Sequence, residues 1–301
     1  MTIQTMVVIP VYNGKNYLPP LLDSLLPQVS LERIILVDNG SNDRSIETVC
    51  EKYGRSLTVL SCGENQGFGS ACNLGIQKAL ATDTRWVLIL NQDLIIEPSA
   101  VERAIEAAES APRIGLLAFY QMNYSGDAID PVFRKFLPPS YWDDLLLRRP
   151  QLTYDVPFVP AAAILLNADC VRELGGFDPL YFMYLEDRDL CHRLNTNGWK
   201  VTIAPAARVR HDCGQIRADR RSLRWNLNWY RSRMIYHLKS SPRSPTVAFL
   251  TGLKHVLPSW SPSGALHGLI AWLRCLPLLP KIASHRQHLP KSSATPAEER
   301  R

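Results

Sequence analysis

The stretch WVLILNQD, Trp86–Asp93, decides the fold. Its five apolar residues, Trp86–Leu90, predict a strand that is buried on both faces. Because the apolar run stops at polar residues, Asp93 is predicted to lie at the carboxyl edge of a sheet, where open α/β sheets bind their ligands. Asp93 is therefore the first candidate site residue. The alternative is that Asp93 only forms the turn after the strand, where Asp is common.

Similar apolar runs before and after this strand predict the rest of a sheet. They lie at Met6–Val11, Arg33–Val37, Leu57–Leu60 and Ile114–Phe119. Segments with helical periodicity separate them, which predicts an α/β fold with a mostly parallel central sheet, right-handed crossovers and flanking helices. The loops of such a sheet open on one edge, so Asp38 and Asp93 are expected to meet in one crevice.

The second half of the chain is less regular. Residues 120–155 contain Pro, Tyr and Arg and show no pattern that predicts an element. Phe158–Leu166 predicts another buried strand, and Lys200–Ile203 and Arg208–Arg210 predict two short edge strands.

Three carboxylates, Glu186, Asp187 and Asp189, stand at the start of a predicted helix. A helix N-terminus favours the ionised form of a carboxylate, which suits a general base. For Asp189 an ion pair with Arg193, four residues later, is the preferred interpretation. The aromatic run Tyr181–Tyr184 predicts the wall of a pocket beside the other two carboxylates.

Two further signals are open to two interpretations. Gly67 and Gly69 precede a predicted helix and could hold a phosphate, but close packing of the helix explains them at least as well. They do not form the GxGxxG dinucleotide fingerprint, so a Rossmann dehydrogenase is disfavoured. His211 follows the last predicted strand in a basic stretch, where it is either structural or a metal ligand.

The 301 residues are 46% hydrophobic and 21% charged, as is usual for a globular protein. One large domain with a tail and two small domains both fit this length. The net charge of +6 is unevenly distributed, because residues 1–207 hold 17 Lys and Arg against 24 Asp and Glu. Residues 208–243 hold 10 against 2, and residues 244–301 hold 7 against 2. A basic tail predicts an anionic partner, either lipid or nucleic acid.

The cysteines predict a reducing, cytoplasmic environment. Their number is odd and none are spaced as CxxC, which disfavours a disulfide framework or a zinc site. The N-terminus shows no signal peptide, and no stretch reaches the roughly 18 uninterrupted apolar residues expected of a membrane span. The seven cysteines are Cys50, Cys62, Cys72, Cys170, Cys191, Cys213 and Cys275.

Five motifs in order resemble the family-2 glycosyltransferases of the GT-A type, and among them the rhamnosyltransferase-like branch that builds bacterial surface polysaccharides. They are VVIPVYNG, VDNGSNDRS, ENQGFGSACNLGI, NQD and GGFDPLYFMYLEDRDLCHR, spread over Met6–Gly214. The resemblance implies a nucleoside-diphosphate-sugar donor. The residues that it implies for binding the donor are Pro10, Tyr12, Asn13, Asp38, Asn39, Asn65, Gly67, Asn73, Asn91 and Asp93.

The same resemblance implies an inverting transfer to a hydroxyl of a glycan or lipid-linked acceptor. Asp187, with Glu186 beside it, would act as the base. Asp93 and His211 would bind Mg²⁺ or Mn²⁺ together with the donor phosphates. Asn91 replaces the first Asp of the family's D-x-D motif, which leaves one charge fewer for the metal. Residues 160–162, PAA, depart from the small polar residue and Gly of many relatives.

The domain prediction follows these motifs. Residues 1–214 form the GT-A domain, with a donor half at 1–119 and an acceptor half at 120–214. Residues 215–284 form a helical region that associates with anionic membrane, and residues 285–301 are disordered. Arginines alternate with aromatic residues in this region, but no nucleic-acid-binding motif accompanies them, so no nucleic-acid partner is predicted. The expected location is cytoplasmic and peripheral on the inner face of the plasma membrane. No oligomeric state is predicted.

Two other functions remain open. A sugar-nucleotide pyrophosphorylase would share the fold class, but VYNGKNY is a poor match to its expected basic Gly-rich loop. A non-catalytic module that binds nucleotide-sugar or membrane is supported by the NQD departure alone.

Overall fold

Buried apolar runs form a nine-stranded mixed sheet in the first of two structural units. The structure is a computed structural model that describes residues 4–54, 56–212, 223–241, 245–256 and 262–285. Within these ranges the first unit comprises the chain up to Phe182 and again from Glu186 to Asp212. The second comprises Met183–Leu185 and the helices from Leu223 onward. The predicted boundary at residues 214–215 and all but the first residue of the predicted disordered tail lie outside the described residues.

The strands of the first unit follow the order β3-β2-β1-β4-β8-β6-β9-β5, and β7 pairs with β9. They are β1 Thr5–Val11, β2 Ile34–Asp38, β3 Thr58–Ser61, β4 Trp86–Leu90, β5 Leu94–Ile96, β6 Ile114–Asn123, β7 Tyr154–Asp155, β8 Ala163–Asn167 and β9 Lys200–His211.

The helices of this unit each lie between two of these strands in the chain. They are α1 Leu18–Leu25, α2 Ser45–Tyr53, α3 Phe68–Leu80, α4 Ala100–Glu109, α5 Pro139–Leu146, α6 Ala168–Leu174 and α7 Glu186–Thr196, with short 3-10 turns at Leu31–Arg33 and Phe133–Phe136.

The predicted α/β fold with a mostly parallel sheet is confirmed. β1, β2, β3 and β4 are mutually parallel. β8 is antiparallel to both β4 and β6, so β6 runs in the same direction as β4 although the two do not pair. The five strands predicted as parallel therefore share one direction, and an antiparallel strand lies within their sheet.

β4 lies at the centre because both of its faces are apolar. Trp86, Leu88 and Leu90 pack on one side of the sheet with α1 and α4. Val87 and Ile89 pack on the other side with α3, α6 and α7. The alternation of a strand thus places one apolar run in two cores.

Two strand predictions are wrong in extent. The strand predicted at Phe158–Leu166 begins only at Ala163. The two short edge strands are one strand, β9, with a register break between Ala204 and Arg208. Pro205 lacks an N–H and breaks the sequence pattern, but a bulge carries the strand past it. β9 is also not an edge strand, because it pairs with β6 on one side and with β5 and β7 on the other.

The second unit is helical. Its helices are α8 Leu223–Ser240, α9 Pro245–Val256, α10 Pro262–Leu273 and α11 Leu279–His285, with a 3-10 turn at Leu276–Leu278. Trp272 stacks on Phe249 at 4.4 Å between ring centroids, and its Nε1–H donates to the Phe249 carbonyl at 2.9 Å. Ser232 Oγ donates to the Met183 carbonyl at 2.7 Å, so Met183–Leu185 packs with α8.

One stretch of the described residues, Leu266–Ser284, is long and apolar enough to cross a membrane by length and composition. It spans 19 residues with a mean hydropathy of 1.2. The sequence-based expectation of no such stretch is therefore not confirmed. That expectation required an uninterrupted apolar run, whereas Arg274 and Lys281 interrupt this stretch without lowering its average below that of a span.

Candidate active site

The loops after β1 and β2 form the first part of the candidate site. The backbone N–H of Asn39 donates to the Val11 carbonyl at 2.7 Å. The Asn13 side chain accepts from the Asn42 N–H at 2.9 Å, and Asp38 accepts from the Ser41 N–H at 2.9 Å. These bonds lock the two loops together. Asn13 and Asp38 are predicted donor-binding residues that are far apart in sequence. They therefore lie together at one edge of the sheet.

Asn39 connects these loops to the start of α3. Its amide nitrogen donates to the Asn65 side chain and the Gly67 carbonyl, both at 3.3 Å, and its oxygen accepts from the Gln66 N–H at 2.9 Å. The Asn65 side chain accepts from the Gly67 N–H at 3.0 Å. The predicted donor-binding residues Asn39, Asn65 and Gly67 thus form one hydrogen-bonded group.

Gly67 is required by both its backbone and its surroundings. It has φ +91°, where residues with a side chain are strained, and a Cβ there would overlap the Phe182 carbonyl. The Phe68 N–H donates to that carbonyl at 3.2 Å. Gly67 therefore allows α3 to begin against the segment that leads toward Glu186. This is the close packing that the sequence offered as one of two explanations.

Asn73 provides a second connection between the same two segments. Its side chain donates to the Phe177 carbonyl at 2.7 Å and accepts from the Phe177 N–H at 2.9 Å. Its described contacts are thus to the protein backbone, and a contact with a donor stays a prediction.

The loop after β4 joins the same edge. The Gln92 side chain forms two bonds with Tyr12, accepting from its N–H and donating to its carbonyl, both at 3.0 Å. The Asn91 N–H donates to the Ala162 carbonyl at 2.7 Å. The Oδ1 atom of Asn91 is buried without a hydrogen-bond partner among the described residues. A buried amide oxygen without a partner is available to accept a hydrogen bond from a ligand.

Asp93 and His211 are neighbours, as a shared metal site requires. Asp93 Oδ1 lies 3.5 Å from His211 Nε2. His211 is buried, and its Nδ1 lies 3.3 Å from the Gln121 side-chain oxygen. Pairing of Leu94 in β5 with His211 in β9 produces this approach.

These residues fit a divalent cation only in part. Among the described residues, no group of three or more His, Cys, Asp or Glu side chains could hold a metal ion. Asp93 and His211 supply one oxygen and one nitrogen, and the unpartnered Asn91 oxygen lies on the same strand end. Mg²⁺ commonly binds through one or two carboxylates plus substrate phosphates, so two protein ligands are compatible with a metal that arrives with its donor.

Glu186 and Asp187 are adjacent carboxyl groups at the start of α7. Glu186 is buried, and its Oε2 has no hydrogen-bond partner among the described residues. Burial, followed by repulsion from Asp187, raises the pKa of Glu186 to about 8. Burial also raises the pKa of Asp187, to about 6, against the opposing effects of the Arg188 and Ala161 N–H groups and the Arg188 charge. Because the two carboxyl groups interact, the two pKa values describe proton binding by the pair and not by each residue separately.

Ala161 and Ala162 connect this pair to the end of β4. The Ala161 N–H donates to the Asp187 carboxylate, and the next residue accepts from Asn91. Asp187 therefore lies beside the strand end that leads to Asp93.

Asp189 is structural, as the sequence preferred. Its carboxylate accepts from Arg193 Nε at 2.8 Å, and the side chains of Asp189 and Arg193 are only 3% and 11% exposed. Arg193 also donates to the carbonyls of Leu174 and Gly176. Arg193 therefore joins α7 to the end of α6 and the residues directly after it.

Sequence reasoning missed several residues of the site. Gln92 fixes the Tyr12 loop, Gln121 contacts His211, and Ala161 binds Asp187 through its backbone. Arg188 lies with its guanidinium 4.9 Å from the centre of the Phe158 ring, next to Asp187 in the chain. Arg188 had a sequence signal as a cation inside the acidic motif, and Gln92 and Ala161 lie in stretches that the sequence singled out without indicating these contacts. The contact of Gln121 depends on strand register.

The mixed sheet, with its polar loops gathered at one edge, has the GT-A fold. The profile of "Glycosyl transferase family 2" matches residues 6–175. The chain belongs to this family.

One relative and two solved structures are similar to the chain over most of its length. N-acetylglucosaminyl-diphospho-decaprenol L-rhamnosyltransferase of Mycobacterium tuberculosis is 29% identical over 221 residues, which cover 64% of this chain and 72% of the relative. Residues 1–349 of TarS of S. aureus, crystallised with UDP-GlcNAc, are 14% identical with a TM-score of 0.60, over 95% of this chain and 88% of that one. A mannosyltransferase of Pyrobaculum calidifontis, crystallised with GDP-Man and Mn²⁺, is 14% identical with a TM-score of 0.55, over 95% and 84%. At such identities the two structures show the fold alone.

Proposed function

We propose that this glycosyltransferase moves a sugar, with rhamnose favoured, from a nucleoside-diphosphate-sugar to a hydroxyl of a glycan or lipid-linked acceptor, with inversion. The reaction would serve the synthesis of cell-surface polysaccharide. The observation that carries the proposal is the position of Asp187, a partly desolvated carboxylate linked through Ala161 and Ala162 to the strand end that bears Asp93. A base and a phosphate-side carboxylate at one sheet edge are what an inverting transfer needs.

The donor is assigned to the interlocked loops after β1, β2 and β4. Tyr12 is exposed there and offers a flat surface to a base, and Asp38 is proposed to bind polar groups of a ribose. Asn39 is buried with its side chain bonded to the start of α3, so it supports this loop from within, and its direct contact with a donor stays a prediction. Pro10 and Val11 are the last two residues of β1, and both are buried directly before the Tyr12 loop. The bonds from Gln92 and Asn13 fix these loops before any ligand arrives, which lowers the entropic cost of binding.

Asp187 is proposed as the general base. Its pKa near 6 leaves it ionised at neutral pH while keeping it basic enough to accept a proton. Glu186, whose pKa burial raises further, would hold the shared proton and leave Asp187 as the charged partner. Asp187 would take the proton of the acceptor hydroxyl as that oxygen attacks the anomeric carbon and the nucleoside diphosphate departs.

Mg²⁺ or Mn²⁺ is proposed as the cofactor, held by Asp93 and His211. When bound, such an ion stabilises the negative charge of a diphosphate leaving group. Gln121 lies against His211 Nδ1, which directs Nε2 toward Asp93.

The rhamnose donor and the lipid-linked acceptor rest on the mycobacterial relative, whose name specifies an L-rhamnosyltransferase acting on N-acetylglucosaminyl-diphospho-decaprenol. An acceptor of that kind would be embedded in a membrane.

We also propose a cytoplasmic enzyme that is peripheral on the inner face of the plasma membrane. Leu266, Leu269, Leu273 and Leu276 are exposed at helical spacing in the second unit, and Arg274 and Lys281 are exposed near them. An apolar stripe with flanking cations suits the surface of an anionic bilayer.

The test is a panel of nucleoside-diphosphate-sugars, dTDP-rhamnose included, with a short-chain lipid-diphosphate-linked acceptor, with Mg²⁺ or Mn²⁺ and with EDTA. Release of nucleoside diphosphate from one donor, abolished by EDTA, is expected. Asp93→Ala should abolish release, and Asp187→Asn should bind donor normally but lose transfer about 100- to 10,000-fold.

Asp83→Ala is the matched control, because Asp83 is an exposed carboxylate three residues before β4, at the opposite edge of the sheet. Near-normal transfer by Asp187→Asn would refute the assignment of the base. Donor binding with no release on any acceptor would favour the non-catalytic function.

A further inference from the structure

Helix α5 ends in an exposed apolar segment that the proposed reaction does not use. Leu145, Leu146 and Leu147 are 50%, 82% and 64% exposed, and the exposed Arg148 and Arg149 follow them. We call these five residues the leucine patch. It belongs to the first unit, in the stretch 120–155 that the sequence left without an assigned role.

The leucine patch is held in place by the core beneath it. Tyr141, one turn before Leu145 in α5, is buried and its hydroxyl lies 2.8 Å from that of Tyr120. The Arg149 N–H donates to the Asp144 carbonyl at 2.8 Å, and the Tyr154 hydroxyl donates to the Asp144 carboxylate at 3.1 Å. The leucines therefore project from an anchored helix end.

The exposure is too large and too local for an ordinary surface. Exposed hydrophobic residues are normally scattered singly, and three or more in a row are unfavourable unless they have a function. Leu152, 52% exposed, lies a few residues further along the chain. Burial of such side chains elsewhere would be favourable, because it removes their apolar surface from water.

The spacing of the leucines favours a lipid surface over a protein groove. A groove takes one face of a helix, which requires apolar residues three and four positions apart. Consecutive residues point in different directions around a helix end, so no single groove would accept Leu145, Leu146 and Leu147 together. The acyl region of a bilayer surrounds whatever is inserted and has no such requirement.

The charges next to the leucines are also those of a membrane contact. None of the ion pairs of the described residues involves Arg148 or Arg149. Asp144, the carboxylate nearest to them in sequence, accepts from Tyr154 instead. Two arginines at the border of an apolar segment can bind lipid phosphates while the leucines lie deeper. Trp142, half-buried one turn before Leu146, is of the type that favours this interface.

We propose that the leucine patch inserts into the headgroup and acyl boundary of an anionic bilayer, so that the catalytic unit itself contacts the membrane. This inference deepens the proposed function, on which it rests for its purpose, since a lipid-linked acceptor would be reached at that surface. It is separate from the membrane contact proposed for the second unit, because its residues lie in the first.

The test is flotation of the full-length protein with vesicles of phosphatidylcholine containing a minority of phosphatidylglycerol, without donor or acceptor. A Leu146→Ser, Leu147→Ser double variant should lower vesicle binding about tenfold or more. Arg148→Gln with Arg149→Gln should lower binding to these vesicles and leave the weaker binding to pure phosphatidylcholine unchanged. Val59→Ser is the matched control, because it removes an exposed apolar side chain from β3, the edge strand.

The leucines are exposed, so the variants should melt at the temperature of the native protein, and light scattering checks their oligomeric state. Vesicle binding equal to that of the native protein would overturn the proposal. So would a native protein that does not bind vesicles, or a leucine variant that changes oligomeric state without changing vesicle binding, since the patch would then be a protein interface.

The assay separates this inference from the proposed function. Loss of vesicle binding in the patch variants supports the inference even if no donor is ever found. Transfer to a soluble acceptor with patch-independent vesicle binding supports the function and refutes the inference.

Discussion

Asp187 is subject to opposing influences that set the proton affinity of the proposed base. Burial raises its pKa, while the backbone N–H groups of Arg188, Ala161 and Asp187 itself and the positive charge of Arg188 lower it. Arg188 has no ion pair with a carboxylate among the described residues, and its guanidinium lies over Phe158. Its charge is therefore available to Asp187 and to any anionic group of the acceptor.

Replacement of Arg188 by Gln should move the acidic limb of the activity profile to higher pH. Without the neighbouring cation the pKa of Asp187 rises, so the base becomes ionised only at a higher pH. The measurement is transfer rate against pH for the native enzyme, whose acidic limb is expected near 6, and for Arg188→Gln and Arg188→Lys. Arg188→Lys should restore most of the native profile. A loss of rate that is equal at every pH would contradict this role.

Glu186 should make the folded protein less stable as the pH rises. Burial raises its pKa in the folded state to about 8, above the usual value near 4.3 in an unfolded chain. The contribution of Glu186 to the free energy of unfolding is therefore fully present below its pKa in the unfolded chain, and it is lost as the pH rises through its pKa in the folded protein. Glu186→Gln removes the ionisable group, so at pH 9 this variant should be more stable than the native protein, by about 1–3 kcal/mol.

The measurement is chemical denaturation of the native protein and of Glu186→Gln from pH 5 to pH 9. Glu173→Gln, at an exposed carboxylate on α6, is the control and should leave the slope unchanged. A native protein with the same pH dependence as Glu186→Gln would show that Glu186 ionises without penalty.

Sequence patterns placed the titratable residues of the site but not the groups that hold them. Asp93 and His211 were predicted as partners, and the structure brings them to 3.5 Å. Gln121 could not be found in the same way, because its contact with His211 depends on how β6 and β9 pair. Ala161 binds Asp187 through its backbone N–H. Every residue except proline has this group, so the residue type does not reveal the contact.

At the scale of elements, α7 begins with the candidate base and is anchored by Asp189 and Arg193. Their side chains are 3% and 11% exposed, and Arg193 also binds two carbonyls at the end of α6 and directly after it. In a buried pair each charge depends on the other, because removal of one partner leaves the second desolvated and unpaired.

Arg193→Ala should therefore cost about 3–5 kcal/mol of unfolding free energy. Urea denaturation measures this loss. Arg172→Ala is the matched control, because Arg172 pairs with Asp169 on α6 with side chains 46% and 76% exposed. Exposed pairs contribute about 0–1 kcal/mol, so similar losses in the two variants would show that the Asp189 pair is not an anchor.

The elements that were predicted and those that were missed differ in what their sequences contain. β4 was found because its apolar run fits no other role, and the helices that follow β1, β2 and β3 were found from their periodicity. β5 has three residues and β7 two, too short to show a pattern. The antiparallel direction of β8 is not encoded in its composition, since a buried strand is apolar in either direction.

At the scale of the whole chain, charge and apolar exposure are unevenly distributed. Residues 1–207 carry an excess of seven acidic groups, and the basic excess lies entirely after residue 207. Vesicle binding should therefore contain an electrostatic part from the tail. Salt weakens this part, because exposed charges are screened over a Debye length of about 10 Å at 0.1 M salt. It should also contain an apolar part that salt does not weaken.

Two variants of the full-length protein separate these parts. Arg274→Gln with Lys281→Gln removes two exposed cations, each contributing about 1 kcal/mol near an anionic surface, so binding should fall at low salt and depend less on salt. Leu266→Ser with Leu269→Ser removes exposed apolar surface, so binding should fall by a similar factor at every salt concentration. Flotation with phosphatidylglycerol vesicles over a salt series measures both. If salt alone released the native protein completely, or if the leucine variant behaved as native, the exposed leucines would not lie in the membrane and the attachment would be electrostatic only.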